Sequence, residues 1–108
     1  MTESITHQQS RTIDEYRAQL QAMLPELIEK FAVAELGLFG SRIRGDHRDD
    51  SDLDVLVSFR PEAYVSLFTL VDLELTISDR LGVKIDLAMK GSLKPKIETR
   101  ILEEVQYL

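Results

Sequence analysis

No cysteine occurs in this chain of 108 residues. Disulfides and thiolate metal sites are therefore excluded. No apolar run approaches the roughly 18 residues that cross a bilayer. Met1 to Arg11 is polar and lacks the apolar segment of a signal peptide. These absences together predict a cytoplasmic protein with no membrane contact. Positive charge is also short, since 13 basic residues against 19 acidic ones leave a formal net charge of -6. Binding to a nucleic-acid duplex rests on lysine and arginine displacing counterions from phosphates, so a long template is not expected. Internal repeats and linkers are missing, and the length suits one domain. What is present can fold: 44% of the residues are hydrophobic and 30% charged, which allows a buried core and argues against disorder.

Residues 1–11 read as a flexible leader, and 12–108 as a single domain. Thr12 and Glu15 have the spacing of a capping box. Ile13, Tyr16, Leu20, Met23, Leu24, Leu27, Ile28 and Phe31 recur at the interval of an amphipathic helix. Pro25 is expected to kink or split it, because proline lacks an N–H and crowds the preceding turn. Val33 to Phe39, apolar apart from Glu35, reads as a strand. Residues 40–51 are mostly loop, with a short helical turn at 41–44. Asp52 to Phe59 is a second strand, ended by Pro61-Glu62. Ser66 to Leu81 is too long for a strand, and Gly82 just past it is the mark of a helix with a glycine cap. Val83 to Met89 alternates as a third strand. Ser92 is placed as the cap of a last helix, with Pro95 in its first turn. Leu93, Ile97, Ile101, Val105 and Leu108 give that helix its buried face. The fold class is α/β: a small mixed β-sheet flanked by helices, in the order helix, strand, short helix, strand, helix, strand, helix.

Five positions invite chemistry. Asp52 and Asp54 stand two apart in a predicted strand, so their carboxylates share a face and repel. A divalent cation between them resolves the conflict, and Mg²⁺ prefers such oxygen ligands. The plainer reading is a wet strand face in a chain rich in acids. Gly40-Ser41 ends a strand, where glycine lets a ligand approach and free N–H groups and a hydroxyl can hold phosphate oxygens. Taken alone, the pair reads more simply as a plain turn ending the strand. Asp86 is an acid in an otherwise apolar strand, either on a wet edge or converging with the other two. A third carboxylate there can take a proton from an attacking hydroxyl.

Gly40-Ser41, ten intervening residues, Asp52-x-Asp54, and Asp86 in a later strand together resemble the nucleotidyltransferases of the DNA polymerase beta superfamily. The stretches Phe39-Gly40-Ser41-Arg42-Ile43-Arg44-Gly45 and Asp50-Ser51-Asp52-Leu53-Asp54 are similar, more narrowly, to the minimal nucleotidyltransferases. These are the antitoxin halves of HEPN–MNT toxin–antitoxin pairs. The resemblance covers nearly the whole chain and implies a polymerase beta-like core. It implies that Gly40 and Ser41 hold a nucleoside triphosphate, that Asp52 and Asp54 bind two Mg²⁺ ions, and that Asp86 shares a metal and activates the acceptor hydroxyl. Arg42 and Arg44, beside Ser41, would neutralise phosphate charge; the competing reading pairs them with the acids of residues 46–50. His47 and Arg48 lie in the same loop, His47 solvated. The resemblance further implies ATP as substrate, a HEPN ribonuclease toxin as partner in a hetero-oligomer, and transfer of AMP to a toxin tyrosine that neutralises the toxin.

Superfamily members that act on antibiotics, tRNA or DNA usually carry an added acceptor domain. Here the core uses up the chain, so the acceptor must bring its own binding surface. Two other functions stay open: an antitoxin that neutralises by binding alone, and a subunit that transfers nucleotide to a small molecule. Tyr64, Val65, Phe68 and Tyr107 are stray apolar positions, assigned to core packing or to a partner surface.

Overall fold

The computed structural model describes residues 12–48 and 50–108; the expected leader, 1–11, lies outside the described residues. The Glu15 N–H donates to the Thr12 hydroxyl at 3.2 Å, and the Thr12 N–H donates to the Glu15 carboxylate at 2.8 Å. This capping box satisfies donors that the first helical turn would leave free. Helix α1, Ile13–Phe31, then runs unbroken with Pro25 inside it. The expected split does not occur. Pro25 and Gln21 are both exposed, so water can serve the Gln21 carbonyl that loses its helical partner. Tyr16, Leu20, Met23, Leu27 and Phe31 form the buried face.

Strand β1, Val33–Phe39, follows α1 after one residue, Ala32, whose φ is 59°. A short helix α2, Ser41–Arg44, leads into the polar loop. Strand β2, Leu53–Phe59, then lies antiparallel to β1. Helix α3, Leu67–Leu81, is capped by Ser66 at its start and by Gly82, φ 73°, at its end. It crosses over the sheet to β3, Ile85–Met89, which pairs parallel to β2. A parallel pair needs such a crossover.

The last segment departs from expectation. Helix α4, Pro95–Glu104, takes Lys94 as its cap residue with Pro95 next. Ser92 does not cap it; its hydroxyl donates to the Met89 carbonyl at 2.9 Å. The helix stops at Glu104 instead of reaching Leu108, because Val105 is extended at φ -65° and ψ 140°. Gln106–Tyr107 form a fourth strand, β4, antiparallel to β1 with Gly37 opposite Tyr107 and Leu38 opposite Gln106. Backbone groups on the β1 edge thereby find partners. Gly37 makes room: a Cβ there would sit 2.5 Å from Val105 Cγ2. The predicted buried face of the last helix shrinks to Ile101, and Ile97 is half exposed.

The sheet order is β3-β2-β1-β4. Helices α1 and α3 cover one face over Leu36, Leu38, Leu53, Val55, Val57 and Ile85. Strand alternation sends Gly37, Phe39, Asp54 and Asp86 to the other face, where α4 lies. Core packing is ruled out for Tyr64 and Phe68, which are 91% and 86% exposed. With Leu67, Val71 and Leu75 they line the outer side of α3 and the turn before it. No helix among the described residues is long and apolar enough to cross a membrane.

Candidate active site

The site begins where β1 ends. Gly40 adopts φ 87° and ψ -161°, a backbone state that a side chain strains. A Cβ there would also lie 1.8 Å from Asp54 Oδ2. Glycine is therefore required twice, for the turn and for the close approach of β2. The N–H groups of Ile43 and Arg44 both donate to the Gly40 carbonyl at 3.1 Å. Ser41 and Arg42 occupy the first turn of α2, where N–H groups have no acceptor within the helix. Ser41 adds its hydroxyl.

Sheet register places Asp54 opposite Phe39 of β1 on one side and Asp86 of β3 on the other. Its carboxyl is pushed up to about 6, first by burial, then by the charges of Asp86 and Asp52 and a hydrogen bond with Asp86. Arg44 opposes the shift. A cleft of about 550 Å³ opens here. Phe39, Gly40, Ser41, Arg44, Asp54 and Asp86 line one wall, and Ile97, Arg100, Ile101, Glu103 and Glu104 the other.

Asp52 sits just before β2, partly buried, and does not line the cleft. It acts on Asp54 through its charge. Among the described residues no group of three histidine or acidic side chains is arranged to hold a metal ion. Asp54 and Asp86 meet in the cleft, and Asp52 lies near enough to act on Asp54 through its charge. The pair fits a hard divalent ion: its atoms are all oxygen, and a cation would remove the repulsion that raises Asp54.

Arg42 departs from its expected place at the nucleotide. It is 8% exposed, donates from Nε and Nη2 to the Ser51 carbonyl at 3.2 and 2.8 Å, and lies over the Tyr16 ring at 5.6 Å. It ties the loop to α1. Residues two apart on a helix point about 200° apart, so only one of Arg42 and Arg44 can face the cleft. Arg44 does. It also pairs with Asp46 at 3.3 Å and Glu104 at 3.2 Å, so the reading that pairs it with a loop acid holds for this arginine. His47 and Arg48 do not line the cleft.

Glu104 was not legible as a site residue. Its carboxylate accepts the Gly40 N–H at 2.7 Å, across 64 residues of chain. An acid in the last turn of a polar helix looks like any surface charge, and so does Arg100.

A family model described as a nucleotidyltransferase domain matches residues 20–108. The protein adenylyltransferase MntA of Thermococcus cleftensis is 43% identical over 97 residues, covering 90% of this chain and 96% of that one. A solved structure of a candidate minimal nucleotidyltransferase superposes with a TM-score of 0.75 at 32% identity, covering 91% of this chain and 97% of the other. A chain from the complex of a tri-AMPylated Shewanella oneidensis HEPN toxin with MNT antitoxin gives a TM-score of 0.62 at 14% identity, covering 85% and 70%. At that identity the likeness shows the fold alone.

Proposed function

This chain belongs to the nucleotidyltransferase domain family, and from that premise we propose that it is a Mg²⁺-dependent protein adenylyltransferase acting as an antitoxin. Residues 12–108 are the catalytic domain. AMP moves from ATP to a tyrosine of a HEPN ribonuclease toxin, which is thereby neutralised, in a cytoplasmic complex of the two proteins. One observation carries the reading: the Gly40-Ser41 turn and the Asp54–Asp86 pair meet in one cleft. The name of the 43% identical relative supports adenylyl transfer to protein, and the complex of the fold neighbour supports a HEPN partner.

The reaction joins the tyrosine oxygen to the α-phosphorus and breaks the bond from that phosphorus to the bridging oxygen, releasing pyrophosphate. Ser41, through its N–H and hydroxyl, holds the leaving phosphates, and Arg44 lowers their charge. Mg²⁺, which Asp52, Asp54 and Asp86 would hold, would neutralise charge on the attacking and leaving oxygens. Asp86 is exposed at the cleft and takes the tyrosine proton, since a phenol is barely ionised at neutral pH.

The test incubates the chain with labelled ATP, Mg²⁺ and a purified HEPN-domain partner. An adenylyl mass on a partner tyrosine, lost on chelation of Mg²⁺, is the expected result. A tight complex with no label sinks the enzymatic reading. It would support the second one, neutralisation by binding, which the apolar outer side of α3 favours, because patches of this kind mark interaction sites.

A further inference from the structure

The cleft holds a carboxylate that nucleotidyl transfer does not use. Glu104 Oε2 accepts the Gly40 N–H at 2.7 Å, and both Glu104 oxygens accept from Arg44 Nη1 at 3.2 Å. Two of the groups read as phosphate-binding are therefore already engaged by an anion from another part of the chain.

Such a carboxylate can be a plug that nucleotide displaces, or a fixture that holds the turn in shape. Backbone anchoring favours the fixture. Immediately after Glu104 the chain is pinned to β1, the strand that ends at Gly40. The Val105 N–H donates to the Ile101 carbonyl at 2.9 Å, and the Leu108 N–H to the Leu36 carbonyl at 3.0 Å. Between them, Gln106 and Tyr107 pair with Leu38 and Gly37, and Val105 fills the space that Gly37 leaves. Glu104 and Gly40 thus ride on one rigid unit, and the Glu104 side chain is only 27% exposed.

We propose that Glu104 is a positioning residue of the phosphate site: its carboxylate pins the Gly40 N–H and draws the Arg44 guanidinium into the cleft, leaving the Ser41 N–H and hydroxyl open to the triphosphate. A charged acceptor makes a short, strong bond to an N–H, which holds the φ 87° turn at Gly40 against relaxation. Arg44 has a competing partner in Asp46, which lies in the outer loop. Without Glu104, Arg44 turns toward Asp46 and away from the phosphates. The inference rests on the nucleotidyl-transfer reading of the cleft.

The test measures the affinity for ATP with Mg²⁺ by calorimetry, and KM and kcat where transfer is seen, in wild type, E104A and E104Q. A glutamine oxygen still accepts the Gly40 N–H but gives up the charge facing Arg44. E104A should weaken ATP binding and raise KM about tenfold, with kcat within about threefold of wild type, and E104Q should recover much of the loss. The Gly40 amide resonance should move in E104A and stay near its wild-type position in E104Q. Unchanged ATP affinity in both variants overturns the inference, and tighter binding in E104A overturns it in favour of a plug. If E104A does not fold, E104Q alone decides: affinity clearly below wild type supports positioning, and equal or higher affinity overturns it. A wild type that binds no ATP with Mg²⁺ sinks the function reading and this inference together, whereas binding that both variants retain in full sinks the inference alone.

Discussion

Asp54 is the residue on which the site turns, and its environment sets a pH signature. In the folded protein it titrates near 6, against 3.8 for an ordinary aspartate, with burial as the first cause. Between those values the folded state holds a proton that the unfolded chain has released. The resulting stabilisation is complete below about 3.8 and is lost as pH rises through about 6. Above that, the metal-free fold carries a charge cost of roughly 1–2 kcal/mol, the full shift being reduced by solvent screening of a half-buried carboxylate. Asp54→Asn should therefore melt above wild type at about pH 7 without Mg²⁺, and the gap should close toward about pH 4, as read by melting curves across pH. On the proposed function, transfer by this variant should fall at least about 100-fold, because it would lose a ligand of the Mg²⁺ ion. Gly40→Ala tests the close approach. It should cost roughly 1–3 kcal/mol in denaturant unfolding and abolish ATP binding, since the new methyl must displace the Asp54 carboxylate. Gly45→Ala is the control, because Gly45 shares a positive φ, 84°, but has open space where a Cβ would stand. Gly40, Ser41 and Asp54 stand out in the sequence because their spacing, taken together with Asp52 and Asp86, resembles the nucleotidyltransferase pattern. Arg42 is not legible in this way, since only the packed loop and Tyr16 show that its guanidinium is structural.

Among the elements, α1 and α3 are legible because apolar periodicity and end caps are local signals. Thr12 with Glu15, and Gly82 after Leu81, mark the ends where they lie. Pro25 misleads, because a proline on a solvated face removes one hydrogen bond without breaking a helix whose other face is packed. Pro25→Ala restores the missing N–H and should stabilise the fold by about 1–3 kcal/mol, measured by denaturant unfolding. Periodicity cannot tell an inward stripe from an outward one on α3, where Leu73, Ile77 and Leu81 are buried and Leu67, Val71 and Leu75 exposed. Phe68→Ser should leave stability within about 0.5 kcal/mol while weakening capture of a HEPN-domain partner. Equal capture would remove this face from the interface. Strand β4 escaped sequence reading for a different reason. Gln106 and Tyr107 are a strand only because β1 offers an edge, and that pairing joins residues about 70 positions apart.

At the scale of the whole molecule, one face of the sheet makes the core and the other makes the cleft, so stability and chemistry are divided between faces. On the proposed function, ATP with Mg²⁺ should raise the melting temperature by binding the folded state, equivalent to about 2.7 kcal/mol at one hundred times Kd. Either ligand alone should do much less, because the metal lowers the repulsion that the triphosphate would meet from Asp54 and Asp86. A flat response to both would count against a working cleft. By itself the sequence determined the α/β class, the ends of α1 and α3, the glycine turn and which acids stand where in the chain, because these depend on near neighbours and on alternation along a strand. Only the tertiary structure decided that Asp54 faces Asp86, that Arg44 rather than Arg42 enters the cleft, and that Glu104 holds the turn. Those outcomes follow from strand register and helix placement, which bring distant residues together with a geometry that no local pattern encodes.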